Sequence, residues 1–161
     1  MIIVSNTSPI SNLAKVGQLN LLQQLYETVL IPNAVYEELL DEGAGEIVIR
    51  VVRGATWLKM QPLQNQEVAI ELRKFINLGE AEAIALAFEV NATRLLINER
   101  LGRKVAIEQG LKITGVLGVL LSAKKQGLIP FVKPVMNDLI AQANFRVSSQ
   151  LYAEVLRAVN E

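Results

Sequence analysis

No cysteine and no histidine occur among the 161 residues. Their absence excludes disulfides, thiolate or imidazole zinc sites, cysteine nucleophiles and any histidine general base or triad. Net charge is missing as well: 16 lysines and arginines balance 16 acids, so no global basic field advertises nucleic-acid binding. The longest apolar runs, such as Val116 to Leu121, fall far short of the ~20 residues of a membrane span. The opening Ile2-Ile3-Val4 has no basic n-region and no small-residue cleavage site, so the expectation is a cytoplasmic protein without a signal peptide. Repeats, low-complexity segments and dividing linkers are lacking too. Aspartate is scarce. Only Asp41 and Asp138 occur, against fourteen glutamates, and glutamate's helix propensity is the plain explanation. What remains is chemistry on carboxylates, hydroxyls, amides, lysine, arginine and oxygen-bound metals such as Mg²⁺ or Mn²⁺.

Apolar residues make up 51% of the chain, enough for a real core. The length suits one domain over residues 1–161, with an α/β core to about 128 and C-terminal helices over about 129–161. Ile2 to Ser5, Thr28 to Ile31, Trp57 to Met60, Arg94 to Ile97 and Leu111 to Thr114 read as strands. Thr7 or Ser8 is expected to cap a helix with Pro9 at its first position. That helix runs to about Val16, where Gly17 breaks it, and Leu19 to Tyr26 forms another. Pro32 opens a helix that Gly43 and Gly45 stop. Glu46 to Arg53 is open between strand and helix. Glu67 to Ile76 reads as a helix with Val68, Leu72, Phe75 and Ile76 on one stripe. Gly79 is expected to separate it from an apolar helix, Glu80 to Val90. Further helices fit at Leu101 to Gln109, Val116 to Gln126, Val135 to Ala143 and Ser149 to Val159.

Short apolar strands alternating with helices argue a mainly parallel sheet of about five strands, covered on both faces. Ligands bind such sheets beyond the carboxyl ends of the strands. Asn6 and Asn98 fall at those ends. Neither GxGxxG nor GxxxxGK[ST] occurs, and Gly115-Val116-Leu117-Gly118 is no substitute, which argues against dinucleotide or P-loop binding.

Four places could carry chemistry. Ser5-Asn6-Thr7-Ser8-Pro9 is a polar turn, for which helix capping suffices. Val35-Tyr36-Glu37-Glu38-Leu39 holds a glutamate pair, usually a solvated face. Gly79-Glu80-Ala81-Glu82 opens an apolar helix, where the helix dipole already favours acids. Leu95-Leu96-Ile97-Asn98-Glu99-Arg100 ends a strand and could be a plain turn.

Together, in this order and spacing, these segments resemble the PIN domain, the fold of many Mg²⁺-dependent ribonucleases and of VapC-type toxins. Ile3-Val4-Ser5-Asn6-Thr7-Ser8-Pro9-Ile10 matches the family's opening strand and D-T-S-P-like turn. Ile31-Pro32-Asn33-Ala34-Val35-Tyr36-Glu37-Glu38-Leu39, Leu78 to Ala87, Leu95 to Arg100 and Thr114 to Leu120 complete the series, which covers nearly the whole chain. The resemblance implies a three-layer α/β/α, Rossmann-like sandwich. It also implies a carboxylate cluster holding Mg²⁺ or Mn²⁺, which activates water and stabilises charge on the scissile phosphate. Asn6 and Asn98 stand where family aspartates are expected. Glu38 and Glu82 stand at the metal-holding acids, with Glu80 the rival for the place of Glu82. Glu99 is the residue that could replace a lost charge. Thr7 and Ser8 match hydroxyl positions. Arg100, Arg103 and Lys104 could meet phosphates, or form a solvated face. The resemblance further implies RNA, single-stranded or structured, as partner, a homodimer, a small antitoxin protein, and no membrane.

The two asparagines depart from that pattern. Asparagine keeps a carbonyl oxygen but has neither charge nor basicity. A divalent ion about 4 Å from one carboxylate gains roughly 8 kcal/mol at an effective dielectric near 20, before desolvation cancels most of it. Two readings follow: a PIN-fold protein with a degenerate acidic site and weak or absent nuclease activity, or an active metal-dependent endoribonuclease of the toxin type working through its glutamates. A weaker third is a small-molecule-binding α/β domain with no shared pocket for Asn6, Glu38, Glu82 and Asn98.

Overall fold

The computed structural model describes residues 1–161. Five short strands, β1 (Ile3–Ser5), β2 (Val29–Ile31), β3 (Leu58–Met60), β4 (Arg94–Leu96) and β5 (Ile113–Thr114), form one all-parallel sheet in the order β3-β2-β1-β4-β5. β1 lies at the centre, with Ile3 opposite Val29 on one side and Arg94 on the other. Its three residues are all buried, as a strand covered on both faces must be. The chain winds outward from β1 to β3, then crosses back to β4 and β5. The direction of winding reverses between β1 and β4, which makes the crevice beyond their carboxyl ends the expected place for a ligand.

Ten α-helices surround the sheet: α1 (Thr7–Lys15), α2 (Asn20–Tyr26), α3 (Asn33–Leu40), α4 (Glu46–Gly54), α5 (Glu67–Leu72), α6 (Leu78–Glu89), α7 (Arg100–Glu108), α8 (Val116–Lys125), α9 (Val132–Gln142) and α10 (Ser149–Ala158). Helices α3, α5 and α6 pack together, α8 packs on α2 and α9, and α1 touches both groups. This is the flanked parallel sheet expected of a three-layer α/β/α sandwich. Helix α6 packs against β1 and β4. It is apolar nearly all round, from Ala81 to Ala87, and is accordingly buried.

Local chemistry explains most boundaries, several differ from the sequence expectation, and one segment the sequence left open is settled. Gly17 ends α1 with a φ of 70°, where Gln18 N–H donates to the Leu13 carbonyl. The cap of α1 is Asn6 rather than Thr7 or Ser8, so Pro9 falls on the third helical residue, where its missing N–H still costs nothing. Glu46–Gly54 is a helix. Its β-branched residues Val48 and Val52 lie four apart and are buried together, so packing overrides strand propensity. Helix α5 stops at Leu72, and Phe75 is exposed while Leu72 and Ile76 are buried. The proposed stripe therefore breaks in the turn after α5. Gly79 lies inside α6 instead of dividing two helices, because Asn77 caps that helix by accepting from Glu80 N–H at 2.9 Å.

Candidate functional site at the carboxyl edge of the sheet

The crevice beyond β1 and β4 collects side chains from four helices. Asn6, at the start of α1, is 4% exposed, and its Oδ1 is buried without a hydrogen-bond partner. Its backbone N–H donates to Leu96 O at 2.9 Å, which fastens the turn after β1 to β4. Thr7 donates its hydroxyl to Glu38 Oε2, and Ser8 reaches Glu99 Oε1 at 3.4 Å. Helix α1 thus links the acid of α3 with the acid at the N-cap position of α7.

Glu80 is the buried carboxylate of this group, 6% exposed, with Oε2 left without a partner. Burial pushes its carboxyl above the usual glutamate range. The charges of Glu99 and Glu38 push the same way, and hydrogen bonding at Asn77 only partly offsets them. Two glycines make room for the acids. A Cβ on Gly79 would stand 2.5 Å from Glu38 Oε1. A Cβ on Gly102 would overlap Glu80 Oε2 and stand 2.8 Å from Ile97 Cδ1. Glu38 therefore lies against α6 beside Glu80, and Glu80 lies against α7.

Glu82 has different work. Its Oε1 accepts from Ala34 N–H at 3.0 Å, capping the N-terminus of α3. The charges of Glu38 and Glu99 bear on Glu80. Asn98 is also committed. Its Oδ1 accepts from Val116 N–H at 2.9 Å, which orients the amide and leaves Nδ2 buried without an acceptor.

Beside the acids, on the β4–β5 side, opens a cleft of about 840 Å³. Ser8, Asn98 and Glu99 belong to both. Arg100, Arg103 and Thr114 line the cleft, as do Asn12, Asn144, Phe145 and Arg146. Lys104 is exposed and does not line it. Sequence reasoning missed Asn77, Gly102 and the 144–146 segment. The Asn77-x-x-Glu80 spacing was a readable capping signal. The other two had none, because their role comes from tertiary approach.

The donor set is all oxygen, which in kind suits Mg²⁺ or Mn²⁺. The two orphaned acceptors, Asn6 Oδ1 and Glu80 Oε2, are groups that a cation would satisfy. As arranged, however, no three of these acids form a group that could hold one ion.

The acids and amides thus stand at the switch point of an all-parallel sheet, where α/β folds bind their ligands. A family model for the PIN domain matches residues 2–161, and the chain belongs to the PIN-domain family. No curated protein matches the chain. Members of this family generally use divalent metal ions, and the family is associated with nucleic-acid binding. No helix is long and apolar enough to cross a membrane.

Proposed function

We propose that this protein binds RNA at the carboxyl edge of its sheet and has a thinned metal site, with weak or absent endoribonuclease activity. The observation that carries this reading is the acid edge itself. Glu38 and Glu99 each lie near Glu80 with no ion pair to any of the three, while Asn6 and Asn98 supply no charge. Glu38 and Glu80, with Asn6 Oδ1, would hold a divalent ion. When bound, such an ion supplies an activated water and charge stabilisation on the phosphate. Thr7 holds Glu38 in place through its hydroxyl. Asn98 is spent on α8, so it counts little toward the metal. The second reading, an active endoribonuclease, draws on the glutamates retained at this edge, Glu38 and Glu80 with Glu99.

Calorimetric titration with Mn²⁺ tests this. The expected result is binding only at millimolar metal. The double variant Asn6→Asp with Asn98→Asp should bind at least about tenfold more tightly, a gain of ~1.4 kcal/mol. The carboxylate introduced by Asn98→Asp can still accept from Val116 N–H, so α8 keeps its cap. Micromolar binding by the natural chain, with RNA cleavage, would favour the second reading. Failure of both proteins to bind would mean the family positions are wrongly assigned. A homodimer and a small antitoxin partner belong to the same proposal, and mass measurement in solution, alone and with a candidate partner, decides both.

A further inference from the structure

Helix α10 is held to the molecule more lightly than the helix before it. Of its ten residues only Val155 and Leu156 are buried. Tyr152 and, just past the helix end, Val159 are half-buried on the same stripe. Helix α9, by contrast, buries Val132, Val135, Met136 and Leu139. Yet α10 is a wall of the cleft beside the acids, through Leu151, and so is the connection that leads to it, through Phe145 and Arg146. An element with few buried apolar side chains opens at a lower cost than the core does.

The connection has a fixed part and a free part. Ala143 N–H and Phe145 N–H both donate to Leu139 O, at 3.0 and 3.1 Å, around Asn144 with its φ of 51°. Arg146 and Val147, which follow, make no backbone hydrogen bond in either direction. The far end of α10 is caught. Glu161 N–H donates to Leu156 O at 2.8 Å around Asn160, whose φ is 59°, and this turn carries Glu161 back to α9. There Glu161 Oε2 accepts from Val132 N–H at 2.8 Å and Oε1 from Lys133 N–H at 3.0 Å. Phe131 supplies no side-chain cap and Pro134 has no N–H to satisfy. The Glu161 carboxylate is therefore the cap of α9, at the end where the helix dipole favours it. Lys124 of α8 stands 3.5 Å from the same carboxylate. Midway, Tyr152 Oη donates to Asn137 Oδ1 at 2.7 Å.

We infer that α10 is a strap over the cleft, hinged at Arg146 and Val147 and latched by Glu161. The closed form has the carboxylate on the start of α9. Opening gives up a few polar contacts and the burial of few apolar side chains, while α9 and the sheet stay packed. It carries Leu151 away from the cleft and widens the mouth on that side. A ligand too large for the closed cleft selects the open form, and the latch sets how much of its binding energy that selection takes. The device governs access to the cleft whatever occupies it.

Thiol labelling of the full chain with a bulky maleimide tests it, because in a chain without cysteine any introduced thiol is the only one. Val155→Cys puts the thiol on the buried face of α10, Leu117→Cys on the cleft wall formed by α8, and Leu120→Cys in the core beneath α8. Where closing outruns labelling, the rate reports the open population. Val155→Cys should label at least about tenfold faster than Leu120→Cys. Adding Glu161→Ala should quicken both Val155→Cys and Leu117→Cys about tenfold and leave Leu120→Cys little changed. Tyr152→Phe removes one hydrogen bond and little packing, so it should quicken Val155→Cys several-fold even if Glu161→Ala fails to fold. Labelling of Val155→Cys as slow as that of Leu120→Cys would show that α10 opens only with the whole molecule, and would overturn the strap. Equal acceleration at all three sites would do the same. No response to either Glu161→Ala or Tyr152→Phe would overturn the latch. A quickened Val155→Cys with Leu117→Cys unmoved would overturn the role at the cleft.

Discussion

Glu80 is a carboxylate held where its charge is costly. Burial and the nearby charges of Glu99 and Glu38 raise its pKa, so the folded chain binds a proton there more readily than the unfolded chain does. Stability attributable to this group is therefore greatest at acid pH. It falls as pH rises from the ordinary glutamate value of about 4.3 through the raised folded value. Glu80→Gln should remove that dependence. Denaturant titration across pH should find the variant more stable than the natural chain at pH 7, with the gap closing toward pH 4. A variant less stable at pH 7 would show that the charge at Glu80 is compensated. The same strain explains why a cation would be welcome at this edge.

Among the elements, α3 and α6 are coupled by a cap that crosses between them. Glu82 of α6 accepts from the first turn of α3, and Glu38 lies one turn further along α3. Glu82 thus caps the helix that carries Glu38. Removing the cap with Glu82→Ala should cost about 1 kcal/mol. For a chain of this size that is a Tm drop of roughly 2–4 °C. Glu82→Gln retains an acceptor oxygen, so it should leave both Tm and Mn²⁺ affinity nearly unchanged, whereas Glu80→Gln should abolish Mn²⁺ binding. Calorimetry of the two glutamine variants decides which glutamate is the site acid. Spacing alone left this open: residues 80 and 82 both fall in the first two turns of one helix, and only packing shows that one side chain meets α7 and the other meets α3.

In the molecule as a whole, the residues after Leu128 are part of the core rather than an addition to it. Val132, Met136 and Leu139 of α9 are fully buried, and Val155 and Leu156 of α10 nearly so. Glu161 accepts from Val132 and Lys133 N–H at 2.8 and 3.0 Å, closing the end of the chain onto the start of α9. Burial opposes ionisation of Glu161, but these donors and Lys124 outweigh it and hold the carboxyl below its usual range. Each large apolar side chain lost from a core forfeits ~1.5–3 kcal/mol. Several lost together exceed the roughly 5–15 kcal/mol that holds a native protein. A chain ending at Leu128 should therefore show no cooperative unfolding transition by calorimetry and no near-ultraviolet circular dichroism. A cooperative transition in that shortened chain would show that the α/β core stands alone.

The sequence by itself determined the parallel sheet and its edge. Short branched apolar runs between helices bury both faces in that way, and Asn6 and Asn98 fall just past the ends of their strands. It also determined the limits of the chemistry, since a chain without cysteine or histidine has only oxygen ligands to offer a metal. Tertiary structure alone decided the division of labour among those polar groups. Glu80 was drawn into the acid edge by the room at Gly102. Glu82 was turned to Ala34, and Asn98 was consumed by α8. Phe145, far along the chain from Asn98 and outside every motif of the edge, came to bound the cleft through the turn after α9. Such roles depend on which atoms meet across the fold, and local periodicity carries no record of that.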